Sequence, residues 1–206
     1  MADSFYMMIV MIAFMIVIMY SQGMKTSRAN VTANREKLLQ VASEGFREHG
    51  FDGVRVADVM RAAGLSHGGF YTYFESKDDL VAQACAVSLE RQAARLKAAK
   101  GDRKAELEVY VTRYLSTKNR DAPGQACLFP SLAADVARQP APVRRIFGEG
   151  VEDYIDALSA LSDDGEGREK AITLLSSLVG AMVLARAVGD AALSDEILAT
   201  VRQALI

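Results

Sequence analysis

His67, Gly68, Gly69, Tyr71 and Tyr73 lie within seven residues, interleaved with Phe70 and Phe74. In a short helix Phe70 and Phe74, four apart, share one face and anchor it to a core. The small and hydrogen-bonding residues then face away. A helix divided in this way suits a DNA groove: apolar residues fix it to its scaffold, and polar side chains reach base edges and phosphates. Gly68 and Gly69 carry no side chain, so backbone and helix N-terminus are expected to come close to phosphate. Tyr71 and Lys77 suit phosphate contacts, and His67 a base or phosphate contact.

Other chemistry finds little support. The two histidines, His49 and His67, both fall in the N-terminal third, and no nucleophile, base and orienting group are set together, so no enzyme is expected. Cys85 and Cys127 are far apart and belong to no CxxC or Cys/His cluster. They read as reduced thiols of a cytoplasmic chain, with no metal and no cofactor. The formal net charge is −2, and residues 24–80 hold eight basic and eight acidic side chains. DNA contact must therefore come from a few placed cations, Lys25, Arg28, Arg35, Arg55 and Lys77, rather than a basic stripe.

The elements that must position these residues are helices. Alanine is abundant, only four prolines occur, and long stretches lack glycine. Apolar residues recur at three and four from Thr32 to His49, and Gly50 with Phe51 predicts a glycine stop with its hydrophobic contact. Val56–Ala63 predicts a second helix and Ser66–Phe74 a third, capped by Ser66. The join Ala62-Ala63-Gly64-Leu65-Ser66 is the sharp turn of a helix-turn-helix. Ser76 predicts the cap of a long helix from Lys77 to about Lys100, with Asp79 at the box position. Further helices are predicted over 103–118, 129–139, 143–161, 168–188 and 194–206, the last capped by Ser194. A loop is expected at 121–124 and an acidic turn at 162–167.

The stretch G-F-D-G…V-A-D-V-M-R-A-A-G-L-S-x-G-x-F-Y-x-Y-F-x-S-K-D-D-L, within residues 32–80, closely resembles the TetR family of bacterial transcriptional regulators. The resemblance implies an all-α fold: an N-terminal three-helix helix-turn-helix domain, residues 24–79, and a C-terminal helical ligand-binding and dimerisation domain, residues 80–206. It implies DNA-binding roles for Arg55, Ala57, Ser66, His67, Gly68, Gly69, Tyr71, Tyr73 and Lys77. It also implies a homodimer on palindromic double-stranded operator DNA, released by a small-molecule effector, and hence repression. Two departures stand out. Val54 and Arg55 replace the Thr or Ser that usually caps the second helix, and Gly68-Gly69 replaces bulkier base-reading residues.

Four further expectations concern the remaining chain. The 168–188 helix is apolar nearly all round, which predicts cover on two sides, one of them a second subunit meeting Leu175, Leu178, Val179, Met182, Ile197 and Val201. Tyr110, Tyr114, Phe129, Phe147 and Tyr154 are candidates for the lining of an effector pocket. Cys127, expected to open the sixth helix, is a candidate redox or electrophile switch, since a helix N-terminus lowers a thiol pKa. The apolar run Phe5–Tyr20 lies in an extension, residues 1–23. A membrane-tethered interaction protein is the competing reading there, but no membrane partner is expected. The pattern from Met24 onward is complete without the extension, which suggests a start placed too far upstream.

Overall fold

The computed structural model describes residues 2–98, 101–161 and 167–206, with side chains from residue 28 onward. The extension 1–23 and the Lys25 side chain therefore lie outside what is described at side-chain level, as does the 162–166 part of the acidic turn. Two units make up the chain, residues 1–38 and 39–206. Helix α1 (Ala2–Gly53) begins in the first, where Thr32 Oγ1 donates to the Arg28 carbonyl at 3.2 Å.

In the second unit, helices account for all regular structure among the described residues. Ala42 and Phe46 of α1 are buried. At Gly50, φ is 72° and α1 kinks rather than stops, continuing to Gly53. Phe51 turns in beneath the kink, its ring 5.3 Å from that of Phe46. Helix α2 (Val56–Ala62) follows, and its end is the best-formed stop in the chain. Leu65 N–H donates to the Met60 carbonyl at 2.8 Å, and Gly64 N–H to the Arg61 carbonyl at 2.9 Å. Those paired bonds require positive φ at the glycine, and Gly64 supplies φ 74°.

Helix α3 (Lys77–Lys97) starts as expected: Ser76 Oγ accepts from Asp79 N–H at 3.1 Å, and Asp79 Oδ2 accepts from Glu75 N–H at 3.0 Å. Its buried residues include Leu80, Val81 and Leu89, and α3 packs along α7 (Ala141–Ser159). The approach is close at one point. A Cβ on Gly150 of α7 would stand 2.9 Å from Leu89 Cβ, so only glycine fits.

Beyond α3, three elements differ from the sequence expectation. The predicted 103–118 helix is split: α4 (Arg103–Tyr114) ends at Leu115, and Ser116 Oγ accepts from Asn119 N–H to start a short α5 (Thr117–Asp121) that runs to the first residue of the expected loop. Helix α6 (Phe129–Val136) is shorter than predicted, with Leu128 at its N-cap. The last helix, α9 (Ala191–Leu205), is capped by Asp190 and not Ser194. The reason is tertiary: the buried Ser194 hydroxyl donates to the Ala185 carbonyl at 2.6 Å and accepts from Arg120 Nη1 at 2.8 Å.

Helix α8 (Gly167–Ala187) would cross a membrane by length and composition alone. Ala171, Leu175, Leu178, Ala181, Met182 and Ala185 instead pack inward, and α8 contacts α6, α7 and α9. This corrects the predicted interface. Leu178 and Met182 are fully buried within one chain and Leu175 nearly so, because the inward stripe runs through them at spacings of three and four. Val179, Ile197 and Val201 are half-buried. The outward face of α8 carries Ile172, Val179, Val183 and Leu184, and α9 adds the exposed Leu193.

Candidate nucleic-acid interface and adjoining cavity

The predicted third helix is a single 3₁₀ stretch, His67–Thr72. Gly68 and Gly69 lower helix propensity at its start, and six residues are too few to sustain an α-helix unaided. Ser66 stands at the N-cap without accepting a side-chain hydrogen bond. The anchors behave as predicted. Phe70 and Phe74 are buried with ring centroids 5.6 Å apart.

Around those anchors the candidate contacts separate by exposure. Arg55, Ser66, His67, Gly68 and Tyr71 are exposed, and Tyr71 is 79% accessible although its ring edges onto Phe70 at 5.4 Å. Ala57, Gly69, Tyr73 and Lys77 are half-buried. A large aromatic left in solvent beside a bare backbone is a surface prepared for contact. Gly68 is not demanded by the fold: a Cβ there would meet nothing within 4 Å. Arg61 of α2, which sequence reasoning left out, is exposed nearby and pairs with Asp58 at 2.7 Å.

A second feature lies where residues 39–47 of α1 meet α3, α4 and α7. These elements and the 119–127 segment line a half-open cavity of about 480 Å³. Tyr110, Tyr114 and Tyr154 line it, as expected. Phe129 and Phe147 do not. Their rings pack edge-on at 5.5 Å, and Phe129 lies 5.2 Å from Tyr154, so they buttress the wall from behind.

Arg47 is the cavity residue that the sequence reading missed. Its Nε donates to the Gly124 carbonyl at 2.8 Å, Nη2 reaches the same carbonyl, and Nη1 donates to Ser43 Oγ at 2.6 Å and Ser88 Oγ at 3.0 Å. Burial lowers its pKa from the ordinary arginine value, with Glu44 opposing. The available signal was the pairing of Ser43 with Arg47, and of Ser88 with Gln92, four apart on otherwise inward-facing stretches.

Cys127 also lines the cavity, but it precedes the α6 N-cap rather than opening the helix. Burial pushes its thiol pKa up, against the Tyr114 hydroxyl and the Phe129 amide, which pull it down. The lowered pKa expected of a reactive thiol is therefore not what this site produces: desolvation outweighs the helix-end amides. Cys85 is driven up to about 12 by the same cause, partly offset by Arg47.

Residues 38–84 match the sequence model of the bacterial regulatory proteins, tetR family. Over 46 residues the chain is 44% identical to the HTH-type transcriptional regulator YvdT of Bacillus subtilis, covering 22% of this chain and 24% of YvdT. The chain thus spans about a quarter of that relative's length. Over 135 residues it is 24% identical to the HTH-type transcriptional repressor NemR of Escherichia coli K12, covering 64% of this chain and 68% of NemR. The reduced form of E. coli NemR superposes with a TM-score of 0.72 at 22% identity, over 84% of this chain and 95% of that one. A TetR-family regulator from Agrobacterium tumefaciens gives 0.69 at 23% identity, over 84% and 98%. At these identities the structural likeness concerns the fold.

Proposed function

We propose, from the premise that the chain belongs to the TetR family of bacterial regulatory proteins, that it is a cytoplasmic transcriptional repressor. In this reading it acts as a homodimer that holds a palindromic double-stranded operator until a small-molecule effector releases it. Residues 24–79 are the DNA-binding domain and residues 80–206 the sensing and dimerisation domain. The observation that carries the reading is the His67–Thr72 stretch: buried Phe70 and Phe74 hold it, while His67, Gly68 and Tyr71 stand in solvent.

Each proposed contact has a role its chemistry supports. His67 and Arg55 supply hydrogen bonds to base edges. Ser66, Tyr71, Tyr73 and Lys77 hold phosphates, and Ala57, Gly68 and Gly69 let backbone approach. The outward face of α8, with Ile172, Val179 and Val183 at spacings of seven and four, is the proposed dimer surface, and Ile197 and Val201 flank it from α9. The cavity behind α1 is the effector site. Burial of the Cys127 thiol favours a reversible ligand over covalent sensing.

The test is fluorescence polarisation with labelled DNA taken from upstream of the protein's own gene, at fixed salt. Binding at least about a thousandfold tighter than to random duplex is expected of a specific operator complex. Equal affinity for both duplexes would end the proposal.

A further inference from the structure

We propose that the cavity binds a small organic carboxylate carrying a hydroxyl, with the half-buried Arg47 as its counter-ion. This rests on the reading above of an effector-released regulator, and it names the chemistry of the effector.

Charge is the first argument. Arg47, Arg91, Arg95 and Arg113 line the cavity against a single carboxylate, Glu44, and none of the four is in an ion pair among the described residues. Glu44 instead accepts from the Gln40 amide at 3.1 Å. Three of the arginines are exposed and stand at the rim, where they would draw an anion inward. Arg47 is the inner one. Neutral oxygens take four of its five N–H groups, from Gly124, Ser43 and Ser88. A half-buried guanidinium whose hydrogen bonds all go to neutral oxygens, with Glu44 and Glu48 compensating it only at a distance, still has a place for one anion.

Unused polar atoms are the second argument. Tyr114 is 5% exposed, lines the cavity, and its hydroxyl has no oxygen or nitrogen partner, facing only the Cys127 thiol. Gln92 Oε1, on the facing α3, is likewise buried and unpartnered. Buried polar atoms are rarely left unmade, so two of them on one cavity mark where a ligand's own polar groups fit. Tyr114 can receive or give one bond, and Gln92 Oε1 needs a donor such as a hydroxyl. Leu39, Ala84, Val87 and Leu96 supply apolar wall for the ligand's body. One inner, half-buried cation matches a monoanion.

The position supplies a release mechanism. Arg47 belongs to α1, which leads through Phe51 into α2, and its acceptor Gly124 lies in the segment before α6. A carboxylate that draws Arg47 away competes with the Gly124 carbonyl, so binding loosens the tie between α1 and that segment. Coupling of this kind is reciprocal: operator DNA must weaken acid binding by the factor by which acid weakens DNA binding.

Calorimetry on the full chain tests it, with salicylate and benzoate set against their uncharged amides, and inorganic phosphate alongside. The acids should bind about tenfold or more tighter than the amides. Salicylate should bind tighter than benzoate, and Tyr114→Phe should reduce that advantage. Arg113→Gln should weaken both acids and flatten their salt dependence. Arg47→Gln should abolish acid binding; if that variant does not fold, Tyr114→Phe and Arg113→Gln decide the matter. Amides equal to acids, phosphate as the sole binder, or no binding by either acid would overturn the proposal. Operator affinity is titrated separately. Intact operator binding without acid binding rejects the carboxylate site alone, whereas acid binding without operator binding rejects the regulator reading alone.

Discussion

The hydroxyls of Tyr110 and Tyr154 meet at 2.8 Å, joining α4 to α7 across 44 residues of sequence. Both phenols are buried, and burial raises both pKa values above the ordinary tyrosine value. The pair is therefore neutral, one hydroxyl donating and the other accepting. Removing either strands its partner in a low-dielectric wall. Tyr110→Phe and Tyr154→Phe should each cost about 1–3 kcal/mol in urea melts, and the double variant less than their sum. Strictly additive losses would mean that the bond itself contributes little.

The thiols make a second prediction, with a defined sign. Cys85 ionises near its ordinary value of 9.0 when unfolded but only at about 12 when folded. Its contribution to stability is therefore full below pH 9 and is lost progressively as pH rises from there toward 12. Cys85→Ala should flatten the alkaline fall in stability even though it lowers the whole curve by cavity formation. A thiol-exchange reagent at pH 8 should label Cys85 and Cys127 far more slowly in folded than in unfolded protein. Rapid labelling of Cys127 in the folded chain would restore the electrophile-sensing reading.

On DNA, the proposed contacts should divide into two kinds. Lys77→Ala should weaken all duplexes alike and reduce the salt slope by about one. His67→Ala and Arg55→Ala should cost about 1–3 kcal/mol on the operator while leaving random DNA nearly unaffected. Gly68→Ala is the sharpest test, because space is open around it. It should leave thermal stability the same or slightly raised and still lower operator affinity; unchanged affinity would show that no DNA backbone comes near Gly68.

For assembly, the two faces of α8 should respond oppositely. Val183→Glu, on a side chain 42% exposed, should give a soluble folded monomer in sedimentation runs. Leu178→Glu, at a fully buried position, should destabilise the fold by more than about 4 kcal/mol. A Val183→Glu protein that still sediments as a dimer would place the interface elsewhere.

The legible parts of this chain are those decided locally. Phe70 and Phe74 at spacing four, the Gly64 stop and the Ser76 cap depend on neighbours within five residues, and the structure keeps all three. Ser194 carries the same capping signal as Ser76, yet Arg120, 74 residues away, holds its hydroxyl and Asp190 caps instead. Apolar periodicity showed that α8 has two greasy faces but not which one the chain covers itself, so Leu175, Leu178 and Met182 were assigned outward. Aromatic residues are the obvious pocket candidates, and three of the five, all tyrosines, line the cavity. Arg47 was overlooked because a lone arginine on a helix reads as solvated until Ser43 and Ser88 are seen to enclose it.

The contact between Gly150 and Leu89 has a mechanical consequence. With a side chain seated against bare backbone, α3 and α7 cannot slip lengthwise without driving Leu89 off the glycine. A tilt of α3 would turn about that point, which would then act as a fulcrum. Lys77 lies twelve residues to one side, about 18 Å along the axis, and Gln92 three residues to the other, about 4.5 Å. A tilt of about 10° therefore moves the cavity wall at Gln92 by about 0.8 Å and the start of α3 by about 3 Å. The lever ratio near four lets a displacement smaller than a bond length at the ligand become one large enough to spoil hydrogen bonds at a phosphate.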